Sequence, residues 1–225
     1  ESMRCSRRML DTAMRFAQAR ENNLTSQEKR FLISPYGLRN LKGLGNMPAS
    51  DDPWQFVRQF QVVGPYPLEW DGERSDRIPE GFNRCYPPEV RSRGHRTYKT
   101  LDGKMTWTPA GTDLSGLLDF LPYFKTTDNV VAYARCVVVS PRAQKARMSL
   151  GSNDGAKIFV NGQEVFSWCS VPRNGRTARQ HQNEVEVFLN KGENEVIAKV
   201  ENLGANWQLY LAFYDPQREL QFSLE

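Results

Sequence analysis

The segment from Trp168 to His181 contains the side chains best suited to binding a sugar. A sugar presents an apolar C–H face that stacks on an aromatic ring, and its hydroxyls form hydrogen bonds with polar side chains. Trp168 supplies such a ring. Arg173, Arg176 and His181 supply hydrogen-bonding groups within the same segment. Because the arginines are positively charged, charge-assisted bonds favour an acidic or sulfated ligand over a neutral one.

Two dipeptides elsewhere in the chain offer the same residue types. Trp70-Asp71 lies in a stretch without regular periodicity, and Asn153-Asp154 lies directly before an apolar run. Each residue type also has a structural interpretation, because a loop tryptophan can anchor its loop, and Asn or Asp can form a turn by bonding nearby backbone N–H groups. The candidate ligand-binding residues are Trp70, Asp71, Asn153, Asp154, Trp168, Arg173, Arg176 and His181.

The sequence contains no recognisable catalytic set. His95 and His181 are its two histidines, no Ser or Cys stands in a nucleophile-elbow context, and no phosphate-binding glycine loop precedes a helix. The four cysteines are Cys5, Cys85, Cys136 and Cys169. Their wide spacing disfavours a zinc site and leaves a Cys85–Cys169 disulfide open. We therefore expect a chain without enzymatic activity.

Composition excludes two further classes of partner. The chain has 225 residues, a formal net charge of +4, 39% hydrophobic and 25% charged residues. Its basic residues are scattered among 26 acidic ones rather than clustered, which argues against a nucleic-acid partner. No run approaches the roughly 20 apolar residues that a membrane helix requires.

Periodicity predicts the elements that must position the candidate site. Asn161-Gly162 lies between two apolar runs and favours a two-residue type I′ turn, so residues 151–166 are predicted to contain a tight β-hairpin. Alternation over 184–189, 196–200 and 207–213 predicts half-buried strands. The run from Val131 to Val139 is apolar on both faces apart from Arg135, as expected inside a two-layer core. Cys136 is predicted to be a buried thiol in this strand.

The remaining apolar positions give three further expectations. Residues 54–63 alternate as one opening strand, and the tryptophans predicted to enter the core are Trp54, Trp107 and Trp207. Residues 68–103 lack sustained periodicity and are predicted to form a long loop with short strands. If their strands share one sheet, a second apolar face would consist of Phe159, Phe188, Ile197 and Tyr210. We interpret this face as a docking surface for the N-terminal helix, and the alternatives are a sugar platform or an interface with an absent domain.

The N-terminal part of the chain has a different pattern. Met3 to Arg20 shows helical spacing of its apolar residues, and Thr25 to Glu28 reads as a capping box at the start of a short helix. We interpret residues 1–45 as a helical segment that forms the tail of a preceding domain, and residues 46–225 as a β-sandwich. The alternative is a helical extension that belongs to the sandwich itself. The predicted fold class is mainly β, a jelly-roll β-sandwich with a short N-terminal α-helical segment.

The order of motifs over residues 54–214 resembles the galactose-binding-like jelly-roll domains. The residues that carry the resemblance are Gly151–Gly155, Ile158–Gly162, Leu189–Asn194, Val200–Asn202 and Trp207, with Val62–Pro67, Tyr86–Glu89 and Met105–Trp107 upstream. Such domains accompany many bacterial carbohydrate-active enzymes, so the resemblance implies a secreted, periplasmic or cell-surface protein. It also implies that a structural calcium ion can be present, although backbone carbonyl ligands leave no mark in a sequence. We expect no other cofactor.

These observations lead to one functional hypothesis and one alternative. The hypothesis is a non-catalytic carbohydrate-binding accessory domain of a polysaccharide-degrading enzyme, either a glycoside hydrolase or a polysaccharide lyase. Its partners would be a polysaccharide or oligosaccharide, with a preference for acidic or sulfated glycans, and the adjacent domains of the parent enzyme. The alternative is a structural or interaction β-sandwich that packs on a catalytic module and has no ligand of its own.

Overall fold

Short strands joined by polar turns dominate the structure, a computed structural model that describes residues 52–69, 77–90, 92, 96–171 and 175–224. The strands are β1 (Trp54–Phe56), β2 (Gln59–Pro67), β3 (Tyr98–Thr100), β4 (Gly103–Met105), β5 (Thr108–Gly111), β6 (Leu117–Asp119), β7 (Val130–Ser140), β8 (Gln144–Asn153), β9 (Ala156–Val160), β10 (Gln163–Trp168), β11 (Asn183–Leu189), β12 (Gly192–Asn202), β13 (Gln208–Tyr214) and β14 (Gln221–Ser223). The helices are α1 (Glu80–Asn83) and α2 (Pro87–Val90), and a 3₁₀ turn spans Leu121–Tyr123.

The strands form two antiparallel sheets and one small hairpin. In the smaller sheet the order is β1, β13, β8 and β11, with β6 also paired to β13. In the larger sheet the order is β10, β9, β12, β7, β2 and β5, with β14 also paired to β7. β3 and β4 pair with each other. The predicted mainly β sandwich is confirmed, whereas the predicted helical segment at residues 1–45 lies outside the described residues.

The two sheets enclose one continuous apolar core. Along β7 every residue except Val139 is buried, in agreement with the prediction that this strand is apolar on both faces. Cys136 is fully buried within it, and burial raises the pKa of its thiol to about 12. Trp207 is also fully buried, as predicted, and its indole N–H donates to the Val200 carbonyl at 3.2 Å. The polar group of the largest side chain in the core between the sheets is therefore hydrogen-bonded.

The predicted hairpin is confirmed at Asn161-Gly162. β9 ends at Val160 and β10 begins at Gln163, and these two residues face each other across the turn. Asn161 and Gly162 have φ angles of 52° and 81°, the two positive values that a type I′ turn requires. Asn161 also bonds to Asn194 at 2.8 Å, which ties the turn to β12.

The prediction of one opening strand over residues 54–63 is wrong. The chain changes sheets at Val57 and Arg58, so β1 belongs to the smaller sheet and β2 to the larger one. Val57 is fully buried at the crossing, whereas Trp54 is only partly buried. Trp54 contacts Tyr214 on the outer face of the smaller sheet, and its assignment to the core is therefore also wrong.

The described residues between 68 and 107 cover the outer face of the larger sheet. A second apolar cluster lies there, formed by Val63, Tyr66, Leu68, Phe82, Tyr86, Tyr98, Val131, Tyr133, Cys169 and Ile197. Trp107 packs against this cluster rather than between the sheets. The predicted long loop is thus a structural cover built from α1, α2 and the β3–β4 hairpin, and we refer to it as the outer cover.

A buried ionic pair holds the outer cover against the larger sheet. The Lys199 ammonium is fully buried and donates to the Arg84 carbonyl at 2.6 Å and to Glu89 Oε1 at 3.0 Å. The hydroxyl of Tyr133 donates to the same carboxylate. Burial lowers the pKa of Lys199, and Glu89 opposes that shift. The cover therefore supplies the counter-charge that a lysine in an apolar sheet needs.

The four residues predicted to form a second apolar face do not lie on one surface. Phe159 and Ile197 lie on the larger sheet and pack with the outer cover. Phe188 and Tyr210 lie on the smaller sheet, where Phe188 is 58% exposed. In the sequence all four residues alternate with the predicted core positions of their strands. The strands, however, belong to two different sheets.

The cysteines described by the structure are free thiols. Cys85 is exposed, and Cys136 and Cys169 are buried, so the Cys85–Cys169 disulfide that the spacing left open is not formed. Cys5 lies outside the described residues.

Replacing Gly162 by Val should lower the free energy of unfolding by about 1 to 2 kcal/mol. A Cβ at this position meets no atom within 4 Å, so the cost would come from backbone strain at φ 81° alone. The measurement is urea denaturation. Gln163→Val adds the same side chain at the exposed neighbouring strand position and should change stability by no more than about 0.5 kcal/mol. Equal stabilities of the two variants would contradict the turn assignment.

Replacing Glu89 by Ala should lower the free energy of unfolding by about 3 to 5 kcal/mol, because Lys199 would keep its buried charge without a counter-ion. The double variant Glu89→Leu/Lys199→Met should be more stable than Glu89→Ala alone. As a control, Glu186→Ala removes the exposed partner of Lys145 and should cost less than about 1 kcal/mol. Chemical denaturation of the three variants compares these values, and similar losses in Glu89→Ala and Glu186→Ala would contradict the role of the buried pair.

Candidate ligand-binding site

Trp168 lies where the chain leaves the larger sheet. It is the last residue of the edge strand β10 and pairs with Ala156 of β9, and its side chain is partly buried. The loop that follows returns to the smaller sheet at β11. Arg176 of this loop places its guanidinium carbon 3.9 Å from the centre of the Trp168 ring. This stacked pair forms the centre of the candidate site.

Arg176 is held in place by the end of β8 and the start of β11. Its NH2 group donates to Ser152 Oγ at 2.9 Å. In the amide orientation that fits its neighbours, the side-chain oxygen of Asn183 accepts from the two terminal nitrogens at 3.0 and 3.2 Å. Burial lowers the pKa of Arg176 to about 10, and the negative charge of Glu201 opposes the shift. The guanidinium is thus oriented before any ligand binds.

Two buried carboxylates shape the backbone around this pair. Glu201 Oε1 accepts from the Ser170 backbone N–H at 2.6 Å, and Asp154 Oδ2 accepts from the Leu203 backbone N–H at 3.0 Å. A Cβ at Gly155 would collide with the Glu201 carboxylate. A Cβ at Gly175 would likewise collide with Asp154, so both carboxylates fit only against glycine backbone.

Burial raises the pKa of Glu201. The hydrogen bond from the Ser170 backbone N–H lowers it, and the neighbouring Asp154 raises it further. Glu201 therefore carries an electrostatic cost when ionised, because two carboxylates share a region of low solvent access.

Three buried polar atoms at this end of the sandwich have no hydrogen-bond partner among the described residues. They are Asn153 Oδ1, Ser170 Oγ and Arg176 Nε, and the fourth such side-chain atom in the described part of the chain is Tyr66 OH. The Asn153 amide nitrogen donates to the Arg176 carbonyl at 2.7 Å, so two of the three atoms belong to directly bonded residues. A buried polar atom without a partner costs about 1 to 3 kcal/mol, and such atoms need an explanation.

The structure divides the predicted site residues into three groups. Asn153, Asp154, Trp168 and Arg176 lie together at one end of the sandwich. His181 lies elsewhere, on the outer face of the smaller sheet. Trp70, Asp71 and Arg173 are outside the described residues.

His181 makes contacts different from those of Trp168. Its Nδ1 is 2.8 Å from Ser149 Oγ, and its ring centre is 4.7 Å from Trp54 and 5.5 Å from Phe56. The loop from Trp168 to His181 crosses from one sheet to the other, so its two ends point to different surfaces. Closeness in sequence was therefore a poor guide to closeness in space for this residue.

Sequence reasoning missed four residues of the site, namely Ser152, Ser170, Asn183 and Glu201. Glu201 had a usable signal, because it follows the buried alternation of Val196, Ala198 and Val200 at the end of a strand. Its backbone bonds to Asp154 and Gly155 then bring the ends of β8 and β12 together. The other three act through local side-chain bonds, for which the sequence carries no pattern.

The calcium ion that the resemblance implied would be held by backbone carbonyls and one or two carboxylates. No group of three His, Cys, Asp or Glu side chains comes together in the described ranges. Asp154 and Glu201 are neighbouring carboxylates, but each accepts a backbone N–H, and the Arg176 cation lies beside them. This donor set does not fit a calcium ion.

The described α-helices, Glu80–Asn83 and Pro87–Val90, have four residues each. None of them is long and apolar enough to cross a membrane.

Comparisons with known proteins give only distant similarities. No family model matches the sequence, and no curated protein matches it. A family 35 carbohydrate-binding module from an environmental isolate is 9% identical with a TM-score of 0.36, covering 75% of this chain and 99% of that chain.

Two other solved structures have similar values. A PA14 sugar-binding domain from an RTX adhesin is 13% identical with a TM-score of 0.39, covering 74% of this chain and 96% of its own. A β-glucuronidase from Ruminococcus gnavus is 10% identical with a TM-score of 0.36, covering 71% of this chain and 29% of the enzyme. At these TM-scores the likeness carries no weight for ligand or activity, and the fold class rests on the strand pairing described above.

Replacing Glu201 by Gln should flatten the pH dependence of stability. Because the folded-state pKa of Glu201 lies above its ordinary value of 4.5, the folded state binds the proton more tightly. The free energy of unfolding therefore falls as the pH rises from 4.5 through the raised pKa. Glutamine can keep the bond from Ser170 N–H without the charge, so the variant should be at least as stable as the parent at neutral pH.

Urea denaturation from acid to neutral pH measures this effect. Glu219→Gln is the matched control with the opposite sign, because Arg142 lowers the pKa of Glu219. The contribution of Glu219 is present at neutral pH and is lost as the pH falls. A Glu201→Gln variant that loses more stability at neutral pH than in acid would contradict the assignment.

Proposed function

We propose that this sandwich is a non-catalytic glycan-binding domain. Its ligand contacts the Trp168 site, which we define as Trp168, Arg176, Asn153 and Ser170 with the supporting carboxylates Asp154 and Glu201. The observation that carries the proposal is a set of three buried polar atoms, without hydrogen-bond partners among the described residues, beside the contact between Trp168 and Arg176.

The types of these atoms suit a sugar. Arg176 Nε offers a donor, Asn153 Oδ1 offers an acceptor, and Ser170 Oγ can act as either. A sugar hydroxyl both donates and accepts, so it can complement all three types. The partly buried Trp168 ring supplies the apolar surface that the C–H face of a sugar needs. Ring and polar groups are fixed by strand ends rather than by a free loop, which limits the entropy lost on binding.

The finer proposal is a preference for acidic or sulfated glycans. Arg176 alone does not support it, because Asp154 and Glu201 offset its charge. The preference therefore depends on the other arginines of the loop, Arg173 and Arg179, of which Arg179 is exposed. The exposed Arg179 side chain can form charge-assisted bonds with carboxylates or sulfates.

The proposed context is that of an accessory domain in a secreted bacterial enzyme that degrades polysaccharides. The sequence resemblance to jelly-roll domains of such enzymes supports this context. The adjacent domains of that enzyme would be its protein partners, and the catalytic residues would lie on them.

One observation favours the alternative of a structural sandwich without a ligand. Both terminal nitrogens of Arg176 are already bonded, to Ser152 and Asn183. In a structural sandwich, these bonds would hold the loop after β10 in place, and Trp168 would pack against the Arg176 guanidinium. The two functions differ in whether the ring and the unpartnered atoms contact anything outside the chain.

Titration of the protein with soluble acidic, sulfated and neutral polysaccharides separates the two. Trp168→Ala should weaken binding by about 1 to 3 kcal/mol, because an aromatic anchor is lost. Arg179→Ala should weaken only the acidic and sulfated ligands and should reduce the salt dependence of their binding. Ser167→Ala, at the exposed neighbouring position of β10, serves as the control and should bind as the parent does. If the protein binds no member of the panel, or if Trp168→Ala binds as the parent does, the glycan-binding proposal is contradicted and the structural alternative is supported.

A further inference from the structure

The outer face of the smaller sheet carries a row of aromatic rings. We call it the aromatic row, and it consists of Tyr214, Trp54, His181, Phe56 and Tyr210. Successive ring centres along it are 5.5, 4.7, 5.5 and 6.1 Å apart. The sheet fixes the row in place, because Trp54 of β1 stands opposite Tyr214 of β13 in the strand pairing.

This face keeps large apolar side chains in contact with solvent. Tyr214 is 38% exposed, and Phe188 of β11 is 58% exposed on the same face. Leu114 is also exposed, and its carbonyl accepts from Arg58, whose guanidinium lies over the Phe56 ring. Exposed apolar side chains that lie together mark an interaction surface.

Charge does not select the partner of this face. Arg147 pairs with Glu184 at 2.6 Å beside the Tyr214 ring, and Lys145 pairs with Glu186 at 2.8 Å. In the described part of the chain, the cations on this face and its rim are Arg58, Lys145, Arg147 and Arg179, and the carboxylates are Asp113, Asp119, Glu184 and Glu186. The two sets are equal in number, so the charge of the face favours neither an acidic nor a basic partner.

The chain itself enters the sandwich at this face. β1 is an edge strand of the smaller sheet, and the described chain begins at Asp52, two residues before Trp54. Arg218 donates to the Asp52 carbonyl at 2.6 Å, and Asp52 Oδ1 accepts from the Trp54 backbone N–H at 3.0 Å. The preceding residues are thus tethered beside the aromatic row, and tethering gives a segment an effective concentration of the order of millimolar at a nearby surface.

The tethered segment has an apolar face of its own to bury. Residues 3–20 carry Met9, Ala13, Phe16 and Ala17 at helical spacing. A helix of this length is marginal in water unless its apolar face packs on another surface. It would be about 27 Å long, whereas the outermost of four paired strands lie about 14 Å apart, so it can cross the whole face. Residues 21–51 leave ample chain for the return to β1.

We propose that residues 3–20 form an amphipathic helix that packs its apolar face on the aromatic row of the same chain. Phe16 is the largest side chain of that face and supplies its main contact. Both sheets are then covered by neighbouring segments of the chain: the larger sheet by the outer cover that follows β2, and the smaller sheet by the helix that precedes β1. This contact uses no residue of the Trp168 site and does not rest on the proposed function.

Hydrogen exchange of the full chain, followed by mass spectrometry of peptides from residues 3–20, tests the contact. In the parent these amides should exchange at least about tenfold more slowly than in an unstructured peptide. Tyr214→Asp and Phe16→Asp should each reduce that protection about tenfold or abolish it, because each places a charge in an apolar contact. Peptides from β7 report whether the sandwich stays folded. Phe16 precedes all the strands, so its variant keeps the test valid if Tyr214→Asp unfolds the sheet.

Two control variants add the same charge outside the contact. Gln18→Asp lies on the opposite face of the predicted helix from Phe16 and carries the same reduction in helix propensity. Val90→Asp lies at an exposed apolar position of the outer cover. Both variants should keep the protection that residues 3–20 have in the parent.

Protection that is lost in the two contact variants and kept in the two controls supports the proposal. Residues 3–20 that are unprotected in the parent overturn it and leave the face to another occupant, such as a polysaccharide or an adjacent domain. Protection that survives both contact variants, or that Gln18→Asp removes equally, also overturns it. Protection that disappears on dilution would assign the helix to a second copy of the chain, which overturns a contact within one chain.

Discussion

The larger sheet is apolar on both faces, and the rest of the structure follows from the need to cover both. Its central strand β7 buries nearly every side chain. The smaller sheet covers one face, and the outer cover packs on the other. A long segment between two strands therefore serves as a packing layer. Among the described residues, the smaller sheet packs its apolar face against the core that it shares with the larger sheet.

Buried charges set the positions of these layers. A charge inside an apolar layer is costly unless it is paired, so each one fixes the position of its partner. Lys199 fixes α2 through Glu89, and Arg135 bonds to Glu195 at 2.7 Å on the same sheet. The loop after Trp168 is fixed in a related way, because Glu201 accepts the Ser170 N–H. The candidate site thus inherits its geometry from the same kind of interaction that holds the cover in place.

The sequence predicted the elements better than their arrangement. The Asn161-Gly162 turn, the buried Cys136 and the core Trp207 could be predicted, because each depends on local turn chemistry or on alternation. Trp54 could not be placed, since alternation gives the phase of a side chain but not the sheet to which its strand belongs.

The candidate site shows the same limit. Asn153, Asp154 and Trp168 were identified by type, but their association with Glu201 depends on the pairing of distant strands. His181 was assigned to the wrong surface because the loop after Trp168 crosses between sheets. Three polar atoms of the Trp168 site are buried and have no partner among the described residues, so a ligand that bonds them would recover a cost already present in the free protein.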